Sequence, residues 1–414
     1  MKDDTIIQRK IQHQIKRFPY RMTRTLSKPK KRFVSQVLYG MQASRDIKLS
    51  NIARSLNEDI ELIQTEKRLS RQMISKDLTD NINSSLIEEG RFRIKEDTVI
   101  ALDISDVNKP FAKKMDYLAG VWDGSKGRVA NGYWILEATA ANVNEEAIIP
   151  LYSELYSHEA DGFESENEQI LKAIRLISNH TKKRGIWTMD RGADRRILVG
   201  ELGKMNLRFV IRSKGSRNVK DIFGITKKMP DIIKKTKCKE RYTVTIDKEG
   251  YEEKLEVRLA KKNNLFIEKT KIFIVIVRGF GEEPMVLITN VDKSPKDILE
   301  IYLTRWKCEE SFRFLKHEYK LEDVRTRRYT AIRNTVALLH AVFYFISVYL
   351  GRRLKMKILL TKILQKAKRF FQIPVFKHYA IADGIYRFLF NTKWNPEKIE
   401  ENHEDRRQLL FGFS

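Results

Sequence analysis

Cysteine is nearly absent. Cys238 and Cys308 are the only two in 414 residues, far apart and in no CxxC pairing. That excludes a disulfide framework and a cysteine zinc site, and fits a reducing compartment. The seven histidines form no HExxH and no GxxxxGK(S/T) loop occurs, which removes the metalloprotease and P-loop ATPase readings. The stretch from Gly124 to Gly127 is too short for a phosphate cradle. The amino terminus, MKDDTIIQRKIQHQIKRF, lacks the apolar core of a secretory signal, so a cytosolic chain is expected. Residues 334–351 alone form a long stretch without charge, at the lower length limit for a membrane span, and are expected to be a buried core helix. There is no internal repeat or low-complexity tract.

Acidic residues are also in deficit: 54 Asp plus Glu stand against 80 Lys plus Arg, a net charge of +26, while 42% of the chain is hydrophobic. A folded chain with such an excess points to a polyanionic partner, most commonly nucleic acid; ribosomal and membrane-surface proteins share the property. The length provides for several packed units.

Residues 1–95 carry no strong strand pattern and read as helices with a basic start. Residues 49–56, a turn at Asn57-Glu58-Asp59 and residues 60–71 have the outline of a helix-turn-helix, or of an ordinary helical hairpin, without the usual turn glycine. From Asp97 the texture changes. Residues 98–105 are an apolar, β-branched run, and 116–122 and 132–140 are two more strand candidates flanking the turn Asp123-Gly124-Ser125-Lys126-Gly127. Ser165 and Glu168 make a capping box ahead of the stripe Ile170, Ala173, Ile174 and Ile177, and this helix closes at Lys182-Lys183-Arg184-Gly185. A short buried strand at 185–190, a helix at about 193–204 and a strand at 207–211 follow. The predicted order is β-β-β-α-β-α-β, a mixed sheet whose first and fourth strands lie parallel, making neighbours of Asp103 and Asp190. Residues 213–289 are strand-like and turn-rich, with strands at 242–246, 255–259, 272–277 and 285–289, the last a candidate for the main sheet. Residues 324–382 hold 13 Lys or Arg and no acidic residue. Such a run is a solvated face or, interleaved with Phe370, Phe371, Phe376 and Tyr379, a nucleic-acid surface.

The most informative segment is 294–316. Ser294 as N-cap, Pro295 at the first helical position and Asp297 three residues after the cap start a helix. Read as one helix at about 100° per residue with Tyr302 as zero, Arg305 falls at about 300°, Glu309 at about 340° and Lys316 at about 320°, whereas Glu310 falls at about 80°. A polar stripe is ordinarily a solvated face. Tyr, Arg, Glu and Lys on one face, following two aspartates at the ends of apolar strands, is a less ordinary combination. Three carboxylates drawn together repel one another and are best held ionised by a divalent cation, and an all-oxygen set favours Mg²⁺ or Mn²⁺. That suits two-metal phosphoryl transfer, with Arg305 and Lys316 available to nucleic-acid phosphates.

The Y-x2-R-x3-E-x6-K spacing of Tyr302, Arg305, Glu309 and Lys316, with Asp103 in DISD and Asp190 in Asp190-Arg191-Gly192-Ala193-Asp194, resembles the DDE transposases of the insertion-sequence-four group over residues 97–328. The resemblance implies an α/β fold: an RNase H-like mixed-sheet catalytic core with a β-rich insertion, flanked by helical N- and C-terminal regions. The expected domains are a helical basic DNA-binding region at 1–95, the core at 96–212 and 285–328, the insertion at 213–284, and a basic helical region at 329–414. The implied activity is cut-and-paste DNA transposition, with cleavage at the transposon ends and strand transfer into target DNA. Asp103, Asp190 and Glu309 are then the catalytic carboxylates and the ligands of two Mg²⁺ or Mn²⁺ ions per active site. Tyr302, Arg305 and Lys316 hold the terminal phosphates, and Arg191 contacts DNA or orients the site. Asp106 is a weaker candidate than Asp103 because it stands just past the strand pattern. The implied partners are double-stranded DNA, as inverted-repeat ends and target, and a second copy in a homodimer on that DNA; no membrane is involved, and the place is the cytoplasm, at the nucleoid of a prokaryotic host. Relatives stack a flipped base on a tryptophan of the insertion during hairpin formation; this sequence has none between Trp187 and Trp306, which leaves Phe280 or another aromatic for that role. Two other readings remain: an RNase H-like metal-dependent DNA nuclease, and a catalytically silent DNA-binding protein derived from a transposase.

Overall fold

The structure, a computed structural model, describes residues 2–124, 127–248, 251–363, 369, 373–390 and 392–394. Ser125 and Lys126 of the expected turn, Phe370 and Phe371 of the basic run, and residues 395–414 of the expected C-terminal region lie outside the described residues. The chain divides into two units, one of Met1–Leu86, Val107–Tyr133 and Arg313–Ser414, the other of Ile87–Asp106 and Trp134–Phe312.

The chain opens with α1 (Lys2–Met22), α2 (Lys28–Ser44), α3 (Leu49–Leu56), α4 (Leu62–Ile74) and α5 (Thr79–Gly90), the expected helical start. The pair α3 and α4 buries Ile52, Leu56, Leu69 and Met73. Asn57 closes α3 at a left-handed φ of 48°, the role a glycine would otherwise take.

Next come β1 (Val99–Asn108), β2 (Ala119–Asp123), β3 (Arg128–Ala141), β4 (Ile148–Tyr156), α6 (Glu166–Thr181), β5 (Ile186–Met189), α7 (Arg196–Lys204) and β6 (Arg208–Ser213). Four strands precede α6 where three were expected, and β4 is the addition. All nine of its residues are buried, so it lacks the alternation of a half-buried strand, and Pro150 reads as a breaker. Pro150 is accommodated at a register shift opposite Ala138 and Thr139, where a bulge locally disrupts the ladder.

In the second unit the strands lie in the order β4-β3-β1-β5-β6, with β4 antiparallel to β3 and β5 parallel to both β1 and β6. This is an RNase H-like mixed sheet. Its helix α6 starts as the capping box requires, the Ser165 hydroxyl accepting the Glu168 N–H at 3.2 Å. After α6 the chain reaches β5 through Gly185, at φ 103°; a Cβ there would stand 2.6 Å from Ile100 Cδ1, so glycine is what lets β5 begin flush against β1.

The insertion supplies β7 (Asn218–Asp221), β8 (Thr226–Lys228), α8 (Met229–Lys235), β9 (Glu240–Lys248), β10 (Tyr251–Ile267), β11 (Thr270–Arg278) and β12 (Met285–Thr289). These strands extend the same sheet. β12 pairs antiparallel with β6, and β11, β10, β7 and β8 follow in order, with β9 beside β10.

The remaining helices are α9 (Pro295–Leu303), α10 (Trp306–Glu318), α11 (Tyr329–Tyr344), α12 (Arg352–Ile363) and α13 (His378–Leu389). Ser294 caps α9 as expected, accepting the Asp297 N–H at 3.1 Å. The single long helix expected over 294–316 is broken at Thr304 and Arg305. Arg305 N–H bonds Tyr302 O and Cys308 N–H bonds Arg305 O in three-residue turns, and the Thr304 hydroxyl bonds back to Glu300 O at 2.9 Å. The count that put Tyr302, Arg305, Glu309 and Lys316 on one face is interrupted there.

In the first unit, Tyr329–Tyr349 is long and apolar enough by composition to cross a membrane, but 83% of its most apolar window is buried inside the structure. It is a core helix, with Tyr344 and Phe345 packed on Phe18 at 6.1 and 5.5 Å between ring centres. Phe376 and Tyr379 of the basic run pack on Phe314 at 5.8 and 5.1 Å.

Candidate active site

The parallel register pairs Leu102 with Met189, so Asp103 and Asp190 occupy the next two adjacent positions of the second unit. β1 runs on to Asn108, which puts Asp106 inside the strand and not past it as the pattern suggested. Three residues apart on a strand, Asp103 and Asp106 fall on opposite faces, and pleat parity separates them.

Asp190 is the first residue past β5. It caps a short 3₁₀ turn, Arg191–Ala193, accepting the Gly192 N–H at 2.8 Å. Asp194, four residues on, turns inward. It accepts the Ser213 hydroxyl at 2.8 Å and the Lys214 N–H at 2.7 Å and pairs with Arg217 at 2.7 Å. The second aspartate of that segment therefore anchors the start of the insertion, a role the sequence spacing did not disclose.

Arg305 joins the site together from its position at the helix break. Its side chain is 7% exposed; Nη1 lies 2.8 Å from Asp103 Oδ2 and Nη2 lies 2.6 Å from Glu309 Oε1. Its guanidinium stands 5.6 Å from the centre of the Tyr302 ring, which is buried in the core with Ile298, Leu299 and Val275. Burial opposes the charge on Arg305, but Asp103, Tyr302 and Glu309 together outweigh it and hold its pKa up. For Asp103, burial dominates; Arg305 pulls the pKa down, Asp190 and Glu309 push it up, and it comes to about 7. Cys308 is fully buried, and burial raises its thiol pKa, which makes it an inert packing group.

Of the residues expected to act, Asp103, Asp190, Glu309 and Arg305 come together. Tyr302 lies beneath Arg305 in the core. Lys316 belongs to the first unit, where its amine is 3.4 Å from Glu322. Arg191 is exposed beside Asp190 and lines a cleft of about 550 Å³.

Three carboxylates form an all-oxygen donor set of the kind that takes Mg²⁺ or Mn²⁺. The raised pKa of Asp103 reflects the cost of burying it beside two further carboxylates, a cost that a cation relieves. The donor set thus fits a divalent ion in kind. As the side chains stand, the Arg305 guanidinium takes the cation's place between Asp103 and Glu309, and among the described residues no group of three or more His, Cys, Asp or Glu is poised around a metal position.

Residues 154–345 match the family of the transposase DDE domain. The matched span takes in Asp190, Arg305, Glu309 and Lys316 and begins beyond Asp103. The match supports a DDE transposase. No curated protein matches. Among solved structures, the chain is similar to the piggyBac transposase in a cryo-EM synaptic complex with hairpin DNA, with a TM-score of 0.46 and 11% identity over 93% of this chain and 75% of that one.

Proposed function

We propose that this chain is a cut-and-paste DNA transposase of the insertion-sequence-four group, with Asp103, Asp190 and Glu309 as its catalytic carboxylates. The observation that carries this reading is the buried Arg305 guanidinium that bridges Asp103 and Glu309, with Asp190 close enough to Asp103 to raise its pKa, in a chain whose residues 154–345 match the transposase DDE domain. The three would hold two Mg²⁺ or Mn²⁺ ions, which when bound supply Lewis acidity at a phosphodiester and an activated water. Arg305 spaces Asp103 and Glu309, and Tyr302 positions Arg305 from below instead of touching phosphate itself. Arg191 and Lys316 are cations for the DNA backbone. Joining two transposon ends calls for a second copy of the chain, so the working form is a homodimer on double-stranded DNA in the cytoplasm.

The test uses a supercoiled plasmid carrying the DNA that flanks this coding sequence, purified protein and Mg²⁺. Excision at defined ends, lost in Asp103→Asn, Asp190→Asn and Glu309→Gln while DNA binding persists, is the expected result. Full activity in any of the three variants would remove that residue from the ligand set. Nicking without end preference that still needs Glu309 would indicate a nuclease of the same fold, and binding without cleavage by the unaltered protein a silent descendant.

A further inference from the structure

The cleft of about 550 Å³ in the second unit has a lining set apart by charge. Arg191 comes from the turn after β5, Arg212 from β6, Lys214 from the segment after it, Lys234 from α8 and Arg278 from the end of β11, with Glu283 the only acid among the described lining residues. Five cations against one carboxylate make a site for a polyanion. Arg278 is fixed in place, its guanidinium donating to Ile233 O at 3.0 Å. The Asp194 anchor holds the backbone of Lys214 at 2.7 Å, so the rim is built rather than loose.

The cleft has the volume of a small-molecule pocket, too small for a double helix but matched to a short run of one strand. Among the described residues its lining has no aromatic on which a base could stack. Backbone phosphates are then what the cations meet, and recognition is independent of sequence. Its lining includes Arg191, the residue directly after the carboxylate Asp190.

We infer that this cleft binds the phosphodiester backbone of a single strand of nucleic acid, without base readout, as that strand leaves the carboxylates. The inference rests on the transposase reading for the source of the strand, but the binding itself does not depend on cleavage.

The experiment compares the full chain with a Lys214→Ala/Lys234→Ala variant, both side chains being exposed. Labelled oligothymidine and oligodeoxyadenosine are titrated by anisotropy over a range of salt. Losing two phosphate contacts makes the log–log salt slope shallower by about 1.4 for a single strand, equally for both oligomers, and the Lys214→Arg/Lys234→Arg variant keeps the original slope. An unchanged slope overturns the inference, and a loss confined to one oligomer overturns its claim that bases are not read. Calorimetry with inorganic tripolyphosphate separates the two sources of phosphate: tripolyphosphate binding abolished in the variant while the oligonucleotide slope stands would make this a small-anion site. A shallower slope in a protein that never cleaves plasmid would leave the cleft standing and the transposase reading refuted.

Discussion

Replacing Arg305 by methionine removes the cation between Asp103 and Glu309 while keeping most of the side-chain volume. The Asp103 contact, at 2.8 Å with that carboxylate 15% exposed, is a buried charge-assisted hydrogen bond of about 2–3 kcal/mol. The Glu309 contact is shorter, at 2.6 Å, but Glu309 is 45% exposed, so screening limits it to at most about 1 kcal/mol. The loss is therefore about 3 kcal/mol, which for a unit of roughly 200 residues lowers the calorimetric midpoint by about 6–12 °C. In an Asp103→Asn background the same substitution should cost about a third as much, because only the exposed partner remains. The deficit also depends on pH. Asp103 has a pKa raised to about 7, so what burial penalises is its ionised form; without Arg305 that penalty grows, and the deficit widens as pH rises through about 7. A midpoint drop below about 2 °C, or an equal drop in the Asp103→Asn background, would refute the bridge as the element that holds these carboxylates together.

Asp194→Ala, which strands the guanidinium of Arg217, should cost about 3–5 kcal/mol in unfolding free energy, and metal-dependent cleavage measured below the new midpoint should survive, in contrast to Asp190→Asn. His340 is 1% exposed with no partner at either ring nitrogen, and burial lowers its pKa to about 3. Neutral in the fold but protonated in the unfolded chain below about pH 6.5, it withdraws stability as pH falls from there toward 3, at up to about 1.4 kcal/mol per unit; His340→Leu should unfold at a higher midpoint than the parent at pH 5, and no difference there would count against a neutral buried ring. In Gly132→Ala the added Cβ would run into the backbone carbonyl of Val107, which cannot rotate away. A destabilisation of about 1–3 kcal/mol is expected in urea unfolding.

The pairing of Asp103 with Asp190 could be read from one dimension, because a β-branched run and a short buried strand on either side of a capped helix leave few topologies. The caps at Ser165 and Ser294 were equally legible, each being a local hydrogen bond between near neighbours. β4 was not, since burial on both faces erases the period that betrays a strand. Nor was the break at Thr304 and Arg305. Good helix formers flank it, and a buried ion pair with Asp103, some two hundred residues away in sequence, accompanies it. The same distance hid the position of Arg305 between two carboxylates, where spacing alone had offered it to a phosphate. Asp106 was misplaced for a related reason: strand length depends on partners, and β1 outruns β5.

The insertion enlarges the sheet by adding strands beyond β6, and this moves its open edge away from the carboxylates to β8. An open sheet edge invites pairing with another chain, and a folded protein has good reason to keep such an edge from joining copies indiscriminately. β8 is three residues long, Thr226-Lys227-Lys228, all exposed. A strand that short, carrying two adjacent ammonium groups, offers few hydrogen bonds to a newcomer and repels a copy of itself. The lysines that add to the net charge thus also guard against aggregation at this end of the sheet.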